Sequence, residues 1–446
     1  MPNCKRVFAL ILLLSLPSFA SVFPQASANT ASACKDCDLL IIGPEAYRKT
    51  VEKFIVFKHS LGVASRFVSV EWINRSCPGD DLAWRIHNFV AGEYRASAVK
   101  YVLLVGTYEH VPARYVYSPC SEAGFADFNY KPSDWFYAVP DWQDIQIGFL
   151  AGNLPKIAVG RLPAKNIEEL ERAVAKIIEV ESKPLEGFFL VFQEHSLAFQ
   201  PTAGFSKAYA YYASHENLPT DSLSRLLSTN VAYALTYAHG SPEALWKTME
   251  NEDYAPLMTV ADTAEIQKTY GIHYFVSCFT GALDLESESL ARTLITSKAG
   301  PIIVIANSRT ENLNNPIPQI FWEKFFETGD IADSLIQALN SYISNPKIFN
   351  SQYPIFQKYN LYLCQVVYGD ISWTIKNPEK TILTLKKPVT AEKPLKTETA
   401  ETENPENKCQ ALEASANTAA ASIALAFSII LYKLKSVRKA ERLRKS

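Results

Sequence analysis

An α/β fold with a largely parallel sheet covered on both faces is what this sequence predicts, on three observations. Short, wholly apolar, non-alternating runs such as LLII at 39–42 and YVLLV at 101–105 recur along the chain, as strands buried on both faces require. Segments with apolar residues at helical spacing separate most of these runs. Two of the runs end in reactive side chains, His239 and Cys278, each followed by a glycine-containing loop, and the carboxyl ends of parallel strands are where such a sheet presents chemistry.

The elements follow in order. Asp38–Ile42 reads as a buried strand closed by Gly43 and Pro44, Tyr47–Leu61 as a helix ended by Gly62, and Val63–Val70 as a second strand, so the chain opens as a parallel unit. Asn74, Arg75 and Ser76 form a glycosylation-type sequence read as a surface loop. Asp80–Ala91 is predicted helical, and Tyr101–Val105 is a strand stopped by Gly106. A stretch rich in Pro, Tyr and Trp then runs to Asp144, and within it KPSDWFYA sets Asp134 beside Trp135. Composition leaves both a solvated loop aspartate and a pocket carboxylate open there. Lys156–Val159 is a strand, and Asn166–Glu181 a strong helix whose first turn carries Glu168 and Glu169 to suit its dipole. Phe188–Gln193 is a strand, Phe205–His215 is predicted helical, and Val231–Ala238 is the strand that delivers His239. Trp246–Pro256 reads as a polar connection and Ala255–Ala264 as loop or short helix, before Ile272–Ser277 delivers Cys278. Leu290–Ser297 (helix), Pro301–Ala306 (strand), Ile320–Phe326 and Ile331–Tyr342 (helices parted by Gly329) and the run Tyr359–Tyr368 complete the pattern.

With 446 residues, 48% hydrophobic and 20% charged, the chain can bury a large core in one domain or two. A formal net charge of -2 gives no electrostatic basis for a nucleic-acid partner. No phosphate-binding loop or dinucleotide fingerprint is present. Residues 1–28, with Lys5 and Arg6 before an apolar core and Ala26 and Ala28 behind it, read as a secretory signal peptide. Residues 34–376 hold the folded domain, divisible into subdomains of about 34–180 and 181–376. Residues 377–413 are a stalk rich in Lys, Glu, Thr and Pro, too polar to form a core. Residues 414–432 have the length and character of a transmembrane helix, and 433–446 form a basic cytoplasmic tail. The expectation is a single-pass protein of the cell membrane with its domain outside the cytoplasm. In that oxidising compartment some of Cys34, Cys37, Cys77, Cys120, Cys278 and Cys364 are expected to pair as disulfides. Cys34 and Cys37 have redox-motif spacing but precede the first strand, which favours a structural bond over redox chemistry.

A thiol and an imidazole brought together make a nucleophile and its base. His239 would take the proton from Cys278 and return it to the leaving amine. Gly240 allows close backbone approach, so the amides of Gly240 and Cys278 are the natural oxyanion-hole donors. His273 competes for the role of base, but it lies mid-strand and alternation turns it to the other side. Nothing places Asp284 or Glu286 against His239. Spacing leaves open a structural histidine and a buried or disulfide-bonded cysteine, and zinc held by His239, His273 and Cys278 fits the geometry poorly.

Several stretches occur in an order that resembles the gingipain-like cysteine peptidases, which share the caspase-like fold. They are YVLLVGTYEHVPARY, KPSDWFYA, LPKIAVGRLPAKNIEELERAVAKIIEVE, TYAHGS, FVSCFTGAL, AGPIIVIANSRT and VVYGDISWTI, and they cover about Asp38 to Ile375. The resemblance implies a three-layer α/β/α sandwich, a Cys278–His239 dyad, and peptide-bond hydrolysis through a thioester on protein or peptide substrates. It implies that Asp134, with Trp135 in the same pocket, recognises Arg or Lys before the scissile bond. The reaction requires no cofactor, and a structural calcium is implied by the resemblance alone, since no clustered acidic loop here demands one. Two other functions remain beside hydrolysis: a transpeptidase, because an amine can resolve the same acyl-enzyme, and an inactive surface protein that binds through the aromatic Tyr108–Trp142 region.

Overall fold

The structure, a computed structural model, describes residues 37–97, 99–117, 130–143, 153–193, 208–212, 222–248, 254–285, 288–311, 315–344 and 362–375. The first part of the chain forms β1 (Leu39–Gly43), α1 (Arg48–Ser60), β2 (Ser65–Ser69), α2 (Val70–Ser76), α3 (Leu82–Ser97), β3 (Tyr101–Val105), β4 (Arg114–Tyr117), β5 (Tyr130–Ser133), β6 (Ala158–Leu162) and α4 (Ile167–Glu181). Next come β7 (Phe188–Gln193), β8 (Ala208–Tyr212), α5 (Ser222–Leu227), β9 (Val231–Tyr237), β10 (His239–Ser241), β11 (Ala244–Thr248), β12 (Tyr254–Thr259) and β13 (Thr269–Val276). The chain then forms α6 (Leu290–Thr296), β14 (Gly300–Asn307), α7 (Ile317–Thr328), α8 (Ile331–Ser344) and β15 (Gln365–Gly369).

Ten strands make one sheet in the order β2-β1-β3-β6-β15-β14-β13-β9-β7-β8. Every pairing is parallel except that of β14 with β15. The central strands β9 and β14 are buried at every residue, which is why they read as unbroken apolar runs. Helices cover both faces, giving the three-layer α/β/α sandwich. On one face, Trp322, Phe325 and Phe326 of α7 pack on Phe189 of β7 and Tyr233 of β9. Glycine in the left-handed region at Gly329, φ 73°, ends α7 before α8 begins. At the start of α4 the Asn166 side chain accepts from the Glu169 amide at 2.9 Å, the N-cap that an Asn before an acidic turn leads one to expect.

A buried ion cluster ties α1, α4 and the turn after β15 together. The Lys58 ammonium lies 2.9 Å from Glu181 and 2.8 Å from Asp370, with all three side chains at most 1% exposed. One cation faces two carboxyls there. Burial pushes the Glu181 carboxyl up to about 8, and the nearby Lys58 only partly offsets this.

Three expectations do not hold. The stretch read as a helix at Phe205–His215 contains strand β8, which pairs in parallel with β7; at a sheet edge the neighbouring strand overrides local propensity. No helix among the described residues is long and apolar enough to cross a membrane. The longest, α3, has 16 residues, a length of about 24 Å against the ~30 Å of a hydrocarbon core. Residues 414–432, expected to span, lie outside the described residues with 1–28, 377–413 and 433–446. The expected membrane partner and single-pass cell-membrane location thus find no membrane-crossing helix among the described residues. The expected disulfides are not found among the described residues either: no bond joins Cys37, Cys77, Cys278 and Cys364 to one another, and Cys34 and Cys120 lie outside the described residues.

Candidate active site

Strands β9 and β13 are parallel neighbours in register, Tyr237 beside Val276. Their carboxyl ends therefore release the chain at the same level, and the Ala238 amide still donates to the Val276 carbonyl at 3.3 Å. His239 follows one strand and Cys278 the other. The two loops then touch through backbone: a Cβ placed on Gly240 would lie 2.4 Å from the Cys278 carbonyl oxygen and 3.0 Å from its amide nitrogen. Only glycine permits that approach.

His239 is held by a small three-stranded antiparallel sheet. The residue begins β10, which pairs antiparallel with β11, His239 opposite Trp246, and β11 pairs with β12. The His239 ring meets Tyr254 of β12 edge-on at 5.1 Å between centroids.

Cys278 is half-buried. Its sulfur accepts from the Glu311 amide at 3.3 Å, and the thiol points at the Glu311 carbonyl at 3.7 Å. Burial pushes the thiol up to about 11, with the Glu311 amide acting the other way. The next residue, Phe279, has φ 60°, the one non-glycine residue at positive φ among those described. Such a conformation persists only where the surroundings impose it. Here the loop after β14 does so: the Phe279 amide donates to the Arg309 carbonyl at 3.1 Å and the Gly281 amide to the Asn307 carbonyl at 2.9 Å.

Arg309 carries a second link. Its guanidinium grips both oxygens of Asp284 at 2.9 and 2.7 Å, and the Tyr115 hydroxyl of β4 donates to the same carboxylate at 2.5 Å. Burial alone would raise the Asp284 carboxyl, but Arg309 outweighs it and holds the group below its usual range. Asp284 is thus committed to Arg309, and Glu286 lies outside the described residues. Arg309 sits in the stretch AGPIIVIANSRT, recognised above only as a closing strand.

His273 is a core residue. Thr236 and Tyr270 hydroxyls flank its two ring nitrogens at 2.9 Å each, and burial pushes it down to about 3. Its ring stacks on Phe275 of the same strand at 4.0 Å between centroids.

Asp134 and Trp135 both make internal contacts. Asp134 begins a short 3-10 turn over Asp134–Ala138, and both its oxygens are taken by Arg161 at 2.8 and 2.6 Å. The Arg161 side chain is fully buried and also donates to the Gly106 and Val111 carbonyls at 3.1 and 2.9 Å. Trp135, 2% exposed, donates its indole N–H to the Gln365 carbonyl at 2.8 Å. Asp134 thus has its charge matched inside the protein by a bidentate, fully buried guanidinium, and both residues lie at the junction of β5, β6 and β15. Among the described residues no group of three or more His, Cys, Asp or Glu side chains is arranged to hold a metal ion.

The family model described as peptidase family C25 matches residues 32–365. The chain belongs to peptidase family C25. That range contains both strands that carry His239 and Cys278, and family membership makes the chain a cysteine-type endopeptidase. The structure of the complex of RgpB pro- and mature domains from Porphyromonas gingivalis is similar, with TM-score 0.57, 16% identity, and 76% of this chain and 80% of that chain covered. A crystal structure of the Arg-specific cysteine proteinase gingipain R gives TM-score 0.57 at 14% identity, covering 77% and 79%. These likenesses show a shared fold. No curated protein matches the chain in sequence.

Proposed function

We propose that this C25 chain hydrolyses peptide bonds of extracytoplasmic proteins through a thioester on Cys278, with His239 as acid and base. One observation carries the assignment: adjacent parallel strands deliver the imidazole and the thiol to the same edge, with Gly240 packed on the Cys278 backbone. The thiol is protonated at rest, since burial holds it near 11. His239 therefore takes its proton as the sulfur attacks the scissile carbonyl, instead of acting on a preformed thiolate. The amides of Gly240 and Cys278 receive the oxyanion. His239 then returns the proton to the departing amine, and a water activated by the same imidazole hydrolyses the thioester. The chemistry needs no cofactor.

The structural relative is Arg-specific by its description. In this chain the Asp134 charge is matched by Arg161. The free, half-buried state of Cys278 favours catalysis over a purely binding role, for which that cysteine would be fully buried or bonded. The extracytoplasmic setting rests on the signal-like residues 1–28. The test is intact-mass labelling with an electrophilic peptide probe. Folded wild type should gain one adduct on Cys278, Cys278→Ala none, and His239→Ala should label far more slowly. No adduct on folded wild type would overturn the assignment.

A further inference from the structure

Large apolar side chains that stay exposed are usually scattered, and a cluster of them marks a contact surface. Of the eight such residues among those described, four fall together: Tyr115 at 40%, Tyr117 at 37%, Tyr130 at 49% and Leu285 at 42% exposure. The first three share one face of the ribbon formed by β4 and β5. Tyr115 and Tyr117 alternate with buried Val116, and Tyr130 stands directly across from Tyr117, which puts all three on one side of the pleat. The rings of Tyr117 and Tyr130 meet at 5.3 Å, and Tyr108 adds a fourth ring, edge-on to Tyr115 at 6.2 Å. Their opposite face is buried, so this row of rings is what the ribbon offers outward.

The patch is continuous with the active-site loop. Leu285 follows Asp284 on the segment leaving Cys278, and Asp284 accepts from Tyr115 while gripping Arg309. Arg309 in turn accepts from the amide next to Cys278. A chain of hydrogen bonds thus fixes the tyrosine face relative to the nucleophile. The Asp284 charge is matched by Arg309, so the described residues of this patch present rings and an aliphatic side chain. An extended polypeptide advances about 3.3 Å per residue, so Tyr115 and Tyr117 are spaced to meet alternate side chains of such a segment.

Resting on the peptidase reading, we propose that the tyrosine face of β4 and β5, with Leu285, is an exosite for polypeptide substrates. It takes bulky apolar or aromatic side chains remote from the scissile bond. Short substrates reach Cys278 without it, whereas long ones use it for affinity. The experiment compares Tyr117→Ser/Tyr130→Ser with wild type on two substrates, a short fluorogenic peptide amide and a reduced, carboxymethylated protein. kcat/KM on the protein should fall by about tenfold, through KM, a loss consistent with two partly desolvated aromatic contacts, while the short peptide is unaffected. Tyr117→Phe/Tyr130→Phe, which keeps the rings, should restore most of it. Should the serine pair misfold, as read by thermal melting, Leu285→Ser gives the same comparison on a loop position. Equal losses on both substrates, or no loss on either, overturn the exosite. If wild type cleaves neither substrate, the peptidase reading itself fails and takes the exosite with it.

Discussion

Replacing Gly240 by Ala is the sharpest perturbation of the dyad, because the added methyl has nowhere to go. It would sit 2.4 Å from the Cys278 carbonyl oxygen and 2.9 Å from the Ser277 Cβ. Carbon atoms in contact prefer about 3.5 Å or more, so the His239 and Cys278 loops must part by about 0.6 Å or more. Displacements on the order of 1 Å at reacting groups cost about 10²-fold in rate, and loss of one oxyanion donor costs about 10²–10³-fold, or roughly 3–4 kcal/mol. The variant should therefore lose at least about 10²-fold in kcat, while overpacking lowers stability by only about 1–3 kcal/mol. Steady-state kinetics on a short fluorogenic peptide, beside a thermal melt, reads both. A companion Ser277→Gly change should not rescue it, because the tightest contact is with backbone. A folded Gly240→Ala enzyme with kcat within threefold of wild type would refute the placement of Gly240 against the nucleophile.

Other outcomes follow from the same structure. Alkylation of resting Cys278 by iodoacetamide should accelerate about tenfold per pH unit between roughly pH 8 and 10, because burial holds the thiol near 11; a rate that has already levelled off at pH 7 would show a preformed thiolate. Asp134→Ala leaves the buried Arg161 charge without its carboxylate and should cost about 3–5 kcal/mol in denaturant unfolding, with the preference for one residue over another at the cleavage site unchanged. A change of preference at wild-type stability would reverse that assignment. Glu181, raised from 4.5 to about 8, binds its proton more tightly folded than unfolded. Its contribution is therefore fully present below about pH 4.5 and is lost as pH rises toward 8, at no more than about 1.4 kcal/mol per unit. Unfolding of Glu181→Gln across that window should lack this fall, and an unchanged pH profile would remove Glu181 as its source.

The parallel strands were legible because both faces of each are covered. Tyr101–Val105 and Phe188–Gln193 coincide with β3 and β7, and Asn166 announced α4. The short antiparallel pieces were not: β4, β5 and β10 to β12 mix polar and apolar residues over few positions, which resembles loop until a partner strand is known. His239 and Cys278 could be named as strand-end residues, yet their proximity depends on β9 and β13 being neighbours, a property of sheet order. The partner of Asp134 was hidden for a related reason. Its motif was readable, but the guanidinium that claims it comes from β6, and no local pattern pairs the two. Arg309, Asp284 and Tyr115 are likewise joined only by three segments meeting in space.

Strand β15 has a bearing on timing. It lies between β6 and β14, running against β14 and beside β6, yet its residues are translated after every other strand of the sheet. Until then the sheet has a missing centre, with β2, β1, β3 and β6 on one side and the strands bearing His239 and Cys278 on the other. Long-range pairing of this kind is slow and late in folding. The two halves of the sheet are therefore joined only when β15, the last of the described strands in the chain, takes its place between β6 and β14.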